Sequence, residues 1–240
     1  MSSIWGRRQA PTRLVVFAAT LAAAVTCLVR PGQAAGPQAE SGVTGIVRIV
    51  TKPTRRLASA GAYPGRAVAV GVAHDASELP NVVVFVKAPP TPSAPGRHAI
   101  RQVDEEFAPH LLAITVGSTV DFPNDDLLFH NVFSLSRLAT FDLGRYPRGH
   151  SKSRTFDRAG LVKVYCHLHS HMSAIVRVFD HPFFAIPDVD GRFTIAGLAP
   201  GRHDVVAWHE RVGEVTLPVV VDARGHTPVS FSLPLTDDDE

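Results

Sequence analysis

Residues Leu161 to Phe179 read LVKVYCHLHSHMSAIVRVF, and the reading of this stretch decides the fold. Both of its ends alternate with a period of two, the signature of half-buried strands. In Leu161-Val-Lys-Val-Tyr-Cys166, Lys163 is expected to face water, which turns Val162, Val164 and Cys166 inward. In Ala174-Ile-Val-Arg-Val-Phe179, Arg177 is expected to face out, with Ala174, Val176 and Val178 facing in. Between the strands lies Cys166-His-Leu-His-Ser-His-Met172, dense in donor side chains. Cys166, His169 and Met172 fall at the spacing C-x2-H-x2-M. A rigid strand thus presents a thiol, and the following loop presents an imidazole and a thioether.

Ligand softness says which ion suits such a set. Thiolate and thioether both favour copper, neutral imidazole binds it well, and methionine serves as a long, weak axial ligand. The thiol must lose its proton, which a bound cation enforces. Zinc accepts Cys and His but gains little from Met172. One tight loop cannot wrap every side of an ion, so a further ligand must come from elsewhere. The candidate is His130, in Asn124-Asp-Asp-Leu-Leu-Phe-His-Asn-Val132. His171 rivals His169 as a ligand, and the spacing favours His169. Alternation points His167 away from Cys166. The remaining eight histidines read as surface or hydrogen-bonded residues, and Asp125-Asp126 reads as a turn. No phosphate-cradling glycine loop, dinucleotide motif or catalytic triad is visible, so the chain is not expected to be an enzyme.

The rest of the chain agrees with an all-β class. It has 240 residues, 45% of them hydrophobic, with 18 Gly and 19 Pro, which suits many short strands joined by tight turns. Outside the N-terminus no long helical periodicity occurs. Strand candidates include Gly42–Val50, Val68–Val72, Asn81–Lys87, Phe107–Val116, Ser118–Phe122, Phe129–Leu135 and Ser151–Phe156. Further ones are His203–His209, Val215–Val221 and Val229–Leu233. The run Val82-Val-Val-Phe-Val86 is apolar at every position, which implies burial on both faces. Ala88 to Arg97, rich in proline, reads as a stiff connector.

The first 35 residues read as a cleavable export signal: Arg7, Arg8 and Arg13, then the apolar run Leu14 to Val29, then Gly32-Gln33-Ala34-Ala35. The run is short and alanine-rich for a membrane span, so no span is expected after cleavage. This segment carries four of the 24 Lys+Arg and none of the 22 Asp+Glu, leaving 20 against 22, a net charge of −2. No nucleic-acid partner is therefore expected. Cleavage also removes Cys27. Cys166 is then a single cysteine in an oxidising compartment and can form no internal disulfide.

Together, FPNDD…FHNV and YC-x2-H-x2-M resemble the cupredoxins, the small blue copper proteins, across residues 98 to 180. The loop spacing is most similar to amicyanin, and ITVGSTVDFPN is similar to the strands preceding the first ligand in plastocyanin-type domains. The resemblance implies a Greek-key sandwich holding one type 1 copper ion. It implies His130 as first equatorial ligand, Cys166 as thiolate, His169 as second imidazole and Met172 as axial ligand. Asn131 would brace the loop bearing Cys166. Ser170 stands where many relatives carry proline. A second resemblance is carried by Asp188-Val-Asp-Gly-Arg-Phe-Thr-Ile195, Leu198-Ala-Pro-Gly201 and Val205-Val-Ala207, which are similar to carboxypeptidase regulatory-like, prealbumin-type β-sandwiches. The opening strands of that second sandwich, Thr44–Ile49 and Val82–Val86, precede the copper region. The expectation is therefore a cupredoxin (98–180) inserted into a split sandwich (42–90 and 181–235), with Val82–Val86 pairing to C-terminal strands. The implied function is an exported, periplasmic carrier of single electrons between transient redox partners. Copper delivery or sequestration, and a partner-binding sandwich with an incidental metal site, are the alternatives.

Overall fold

The computed structural model describes residues 41–52, 73–74 and 76–236. Among them are strands, one 3₁₀ helix (Ala76–Asn81) and no α-helix. The fold is all-β. In chain order the first strands are β1 (Gly42–Lys52), β2 (Ala73–His74), β3 (Val82–Val86), β4 (Arg97–Ala99), β5 (Arg101–Val103) and β6 (Glu106–Ala108). Next come β7 (Leu111–Thr115), β8 (Ser118–Pro123), β9 (His130–Ser134), β10 (Phe141–Tyr146), β11 (Ser151–Phe156) and β12 (Gly160–Tyr165). The last are β13 (Ser173–Phe179), β14 (Phe184–Ala185), β15 (Arg192–Ala196), β16 (Gly201–His209), β17 (Gly213–Val221) and β18 (His226–Thr236). The stretch expected to be an export signal (residues 1–35) and the strand candidate Val68–Val72 lie outside the described residues.

Four sheets stack face to face. The outermost has the order β15-β1-β18, with β2 also on β1; beneath it lies β14-β3-β16-β17. The third is β10-β9-β12-β13-β7 and the fourth β11-β8-β4, with β5-β6 as a separate hairpin. Three apolar layers fill the gaps. Val43, Val47, Phe193, Phe231 and Leu233 pack on Val82, Val84, Val86 and Val205 between the first two sheets. Val83, Phe85, Val206 and Trp208 pack on Leu111, Ile175 and Phe179 between the second and third. Ile114, Val162, Val164, Val176 and Val178 pack on Val120, Phe122 and Phe156 between the third and fourth. The chain crosses between these last two sheets after β7, β8, β10 and β11, which gives Greek-key rather than meander connectivity.

Local chemistry accounts for these elements. The hairpin β12–β13 pairs Val162 with Val176 and Val164 with Ala174, which places the inward sets of both strands on one face. β3 is buried at all five positions: even-numbered valines face the first gap, and Val83 and Phe85 face the second. It pairs antiparallel with β16, Val82 opposite His209 and Val86 opposite Val205, and with β14. In the turn before β15, Gly191 has φ +77°, and a Cβ there would collide with the Val47 carbonyl oxygen. Only glycine fits that approach.

Two expectations need correction. Arg177 does not face water. Its side chain is 19% exposed, and its guanidinium lies 5.3 Å from the Phe85 ring, 5.6 Å from Trp208 and 5.7 Å from Phe179. Burial lowers its pKa, and Glu214, 3.4 Å away, opposes that shift. The second sheet covers the face that alternation assigned to solvent. The span Phe107–Val116 is not one strand but β6 and β7, interrupted at Pro109, which has no N–H to give to a ladder.

Candidate metal centre

Cys166 directly follows β12 and is 4% exposed. The loop after it closes on itself: the Met172 N–H donates to the His169 carbonyl (3.0 Å) and the Cys166 N–H to the Met172 carbonyl (3.3 Å). The first of these bonds is the i to i+3 closure of a β-turn, so His169 and Met172 sit at its two ends. His130 opens β9, which neighbours β12 in the same sheet, and it is fully buried. Sheet pairing thus brings together residues 36 positions apart.

Three of the four expected ligands converge. Cys166 Sγ lies 3.8 Å from His130 Nδ1 and 3.9 Å from His169 Nδ1, and the two Nδ1 atoms are 3.0 Å apart. A point equidistant from these three atoms is about 2.1 Å from each, within the roughly 2.0–2.3 Å range of metal–nitrogen and metal–sulfur bonds. Among the described residues this is the one group of His, Cys, Asp or Glu close enough to hold an ion together. Two imidazole nitrogens and a thiolate suit a soft or borderline cation. Met172 is 1% exposed and belongs to the same apolar cluster as Cys166. His171 is exposed, with its Nε2 3.7 Å from Glu105, outside the triangle that His169 completes. His167 is also exposed, its ring centroid 3.9 Å from that of Phe133.

A second ring of side chains holds the first. Asn131 is expected to brace the loop, and its Oδ1 accepts the His167 N–H at 3.4 Å. Its Nδ2 donates to Asp142 at 2.6 Å. The Gly144 amide and then Asn131 hold the Asp142 carboxyl below its usual range. Asn124 Nδ2 donates to the carbonyls of Leu128 (2.9 Å) and Tyr146 (3.0 Å), fastening the loop that leads into His130. Asp126 was not legible as part of the site. It accepts the Nε2 proton of His130 at 2.6 Å, and the amides of Asp104 at 2.6 Å and Glu105 at 3.0 Å. Burial pushes its carboxyl up, but the Glu105 amide, His130 and the Asp104 amide together hold it below the ordinary value. The available signal was an acid four residues before a histidine, which carries no structural meaning outside a helix.

The residues next in sequence to the cluster include exposed apolar ones, while the partly exposed Glu105 carboxylate lies 3.9 Å from His169 Nε2. Leu127, Leu128 and Phe129, just before His130, are exposed, as is Leu168 beside His169. His169 is partly exposed. No helix among the described residues is long and apolar enough to cross a membrane.

No family model matches the chain, and no curated protein does. Among solved structures, a purple cupredoxin from Nitrosopumilus maritimus is 29% identical over 32% of this chain and 84% of its own, with a TM-score of 0.30. A copper-containing nitrite reductase from Thermus scotoductus SA-01 is 26% identical over 41% of this chain and 25% of its own, with a TM-score of 0.34. A reduced mutant of amicyanin is 22% identical over 40% of this chain and 98% of its own, with a TM-score of 0.33. Each of these likenesses covers less than half of the present chain.

Proposed function

We propose that this chain is an exported, cupredoxin-type protein that holds one copper ion and carries single electrons between protein partners. The observation that carries the reading is the triangle of His130 Nδ1, His169 Nδ1 and Cys166 Sγ, with sides of 3.0, 3.8 and 3.9 Å. In this reading those three atoms are the equatorial ligands and Met172 supplies the axial sulfur. Copper in such a site supplies a one-electron couple. The protein's part is to bind, orient and shield. His130 opens β9 and Cys166 directly follows the neighbouring β12, a frame that resists rearrangement between oxidation states. The exposed apolar side chains of Leu127, Leu128, Phe129 and Leu168, next in sequence to His130 and His169, suit brief contact with a redox partner. The pattern of residues 7 to 35 supports export to the periplasm. We also propose the division into a copper domain (98–180) and a split sandwich (42–90 and 181–235), supported by the pairing of β3 with β16.

The test is optical. Protein loaded with Cu(II) is expected to show an intense visible sulfur-to-copper charge-transfer band and the matching EPR spectrum. Cys166→Ser is expected to abolish the band, and persistence of the colour would rule out this ligand set. Copper delivery is the second reading, favoured by the exposed His167 and His171 beside the site. It predicts rapid transfer of the ion to a chelator and no such band.

A further inference from the structure

His130 meets the triangle through Nδ1, and its other ring nitrogen is occupied. A carboxylate only accepts, so the 2.6 Å contact with Asp126 requires the proton to reside on Nε2. Nδ1 is then left with a lone pair directed at Cys166 and His169. Asp126 is held in turn, because its own N–H donates to Asn124 Oδ1 at 2.9 Å. Its carboxylate also collects the amides of Asp104 and Glu105, at 2.6 and 3.0 Å. Those two residues have φ of +54° and +57°, a left-handed turn made without glycine. Such a turn is unfavourable for side-chain-bearing residues and needs outside support. It carries Glu105, whose carboxylate lies 3.9 Å from His169 Nε2. The neighbouring Asp125 is paired instead with Arg101 at 2.7 Å. One carboxylate therefore joins the far side of one imidazole to the turn that faces the far side of the other.

We propose that Asp126 is a positioning residue of the metal centre: it fixes the Nε2–H tautomer of His130, so that Nδ1 is the ligand atom, and it biases the couple toward the oxidised ion. The second effect is electrostatic. A carboxylate hydrogen-bonded to a ligand imidazole raises the basicity of that ligand and favours the more highly charged metal. The tautomer claim stands on the hydrogen bond alone, whereas the bias rests on the copper reading above.

The experiment separates support of the turn from action on His130. Asp104→Asn/Glu105→Gly installs a turn that adopts positive φ by itself, and this double variant is the reference. In metal-free reference protein at mildly alkaline pH, 15N NMR is expected to show His130 as the Nε2–H tautomer. Adding Asp126→Asn is expected to mix the two tautomers. In copper-loaded protein the same addition is expected to keep the visible band. It should also raise the preference for Cu(I) about ten-fold, a positive shift of about 59 mV for one electron. An Nδ1–H tautomer in the reference overturns the proposal even if the triple variant fails to fold. Unchanged potential with the band present overturns the electrostatic part. Absence of the band in wild type sinks the copper reading instead, and leaves the NMR result to decide the role of Asp126.

Discussion

Met172 separates two ways of using a buried thioether. Its side chain lies in the apolar cluster that contains Cys166 and Val164, where it fills space whether or not its sulfur meets an ion. Leucine has nearly its volume, so Met172→Leu is expected to cost less than about 1.5 kcal/mol of stability. If the sulfur is the axial donor, its loss weakens support for the oxidised ion more than for the reduced one. The reduction potential of the copper-loaded variant is then expected to rise while the metal is retained. Spectroelectrochemistry decides, and an unmoved potential would make Met172 a packing residue. At this scale part of the cluster was legible: His130, Cys166 and His169, singled out by residue type, do lie together. C-x2-H-x2-M singles out donor side chains because softness is a property of residue type, but it does not say whether the Met172 sulfur meets an ion or only packs. Asp126 was not legible, because its role depends on which nitrogen of His130 faces inward, and spacing does not encode that.

The strand β3 shows what periodicity can and cannot say. Five consecutive apolar residues imply burial on both faces, and both faces are buried. Phe85 points into the gap between the second and third sheets, 5.1 Å from the Phe179 ring. Phe85→Ala is expected to destabilise the protein by about 3–5 kcal/mol. Val220→Ala, on an exposed position of β17, is expected to stay within about 0.5 kcal/mol of wild type. Denaturant titration measures both, and a small effect at Phe85 would mean that the middle apolar layer contributes little. Arg177 marks the limit of alternation. Alternation separates the two faces of β13 correctly, since Val176 and Val178 face one layer and Ile175 and Phe179 another. It cannot say that a second sheet lies over the polar-looking face. A guanidinium tolerates that cover because its flat, weakly hydrated group stacks on aromatic rings while Glu214 neutralises it.

Across the whole molecule, charge stitches the middle gap at its margins. Lys163 and His110 both reach Glu210, at 2.7 and 3.2 Å, and Lys87 and Arg177 both reach Glu214. Burial pushes the Glu210 carboxyl up, but the hydrogen bonds from Lys163 and His110 outweigh it and hold the group below its usual range. A depressed folded-state value means stability that is present above the unfolded value, about 4.3, and lost as pH falls through the folded one. Near neutral pH, Glu210→Gln is expected to cost about 1 kcal/mol or less, since the cluster is screened by solvent. The thermal midpoints of the variant and wild type should converge below about pH 4. A gap that persists in acid would assign the loss to packing rather than charge. None of these pairings was legible, because each joins residues whose proximity exists only once the sheets have stacked.

The valines and phenylalanine of β3 belong to two cores at once. Among the described residues, neither of these cores can shift without disturbing the other. A grip on the β1–β18 face would therefore aim the Cys166 sulfur at the far side of the stack, as a handle aims the head of a tool.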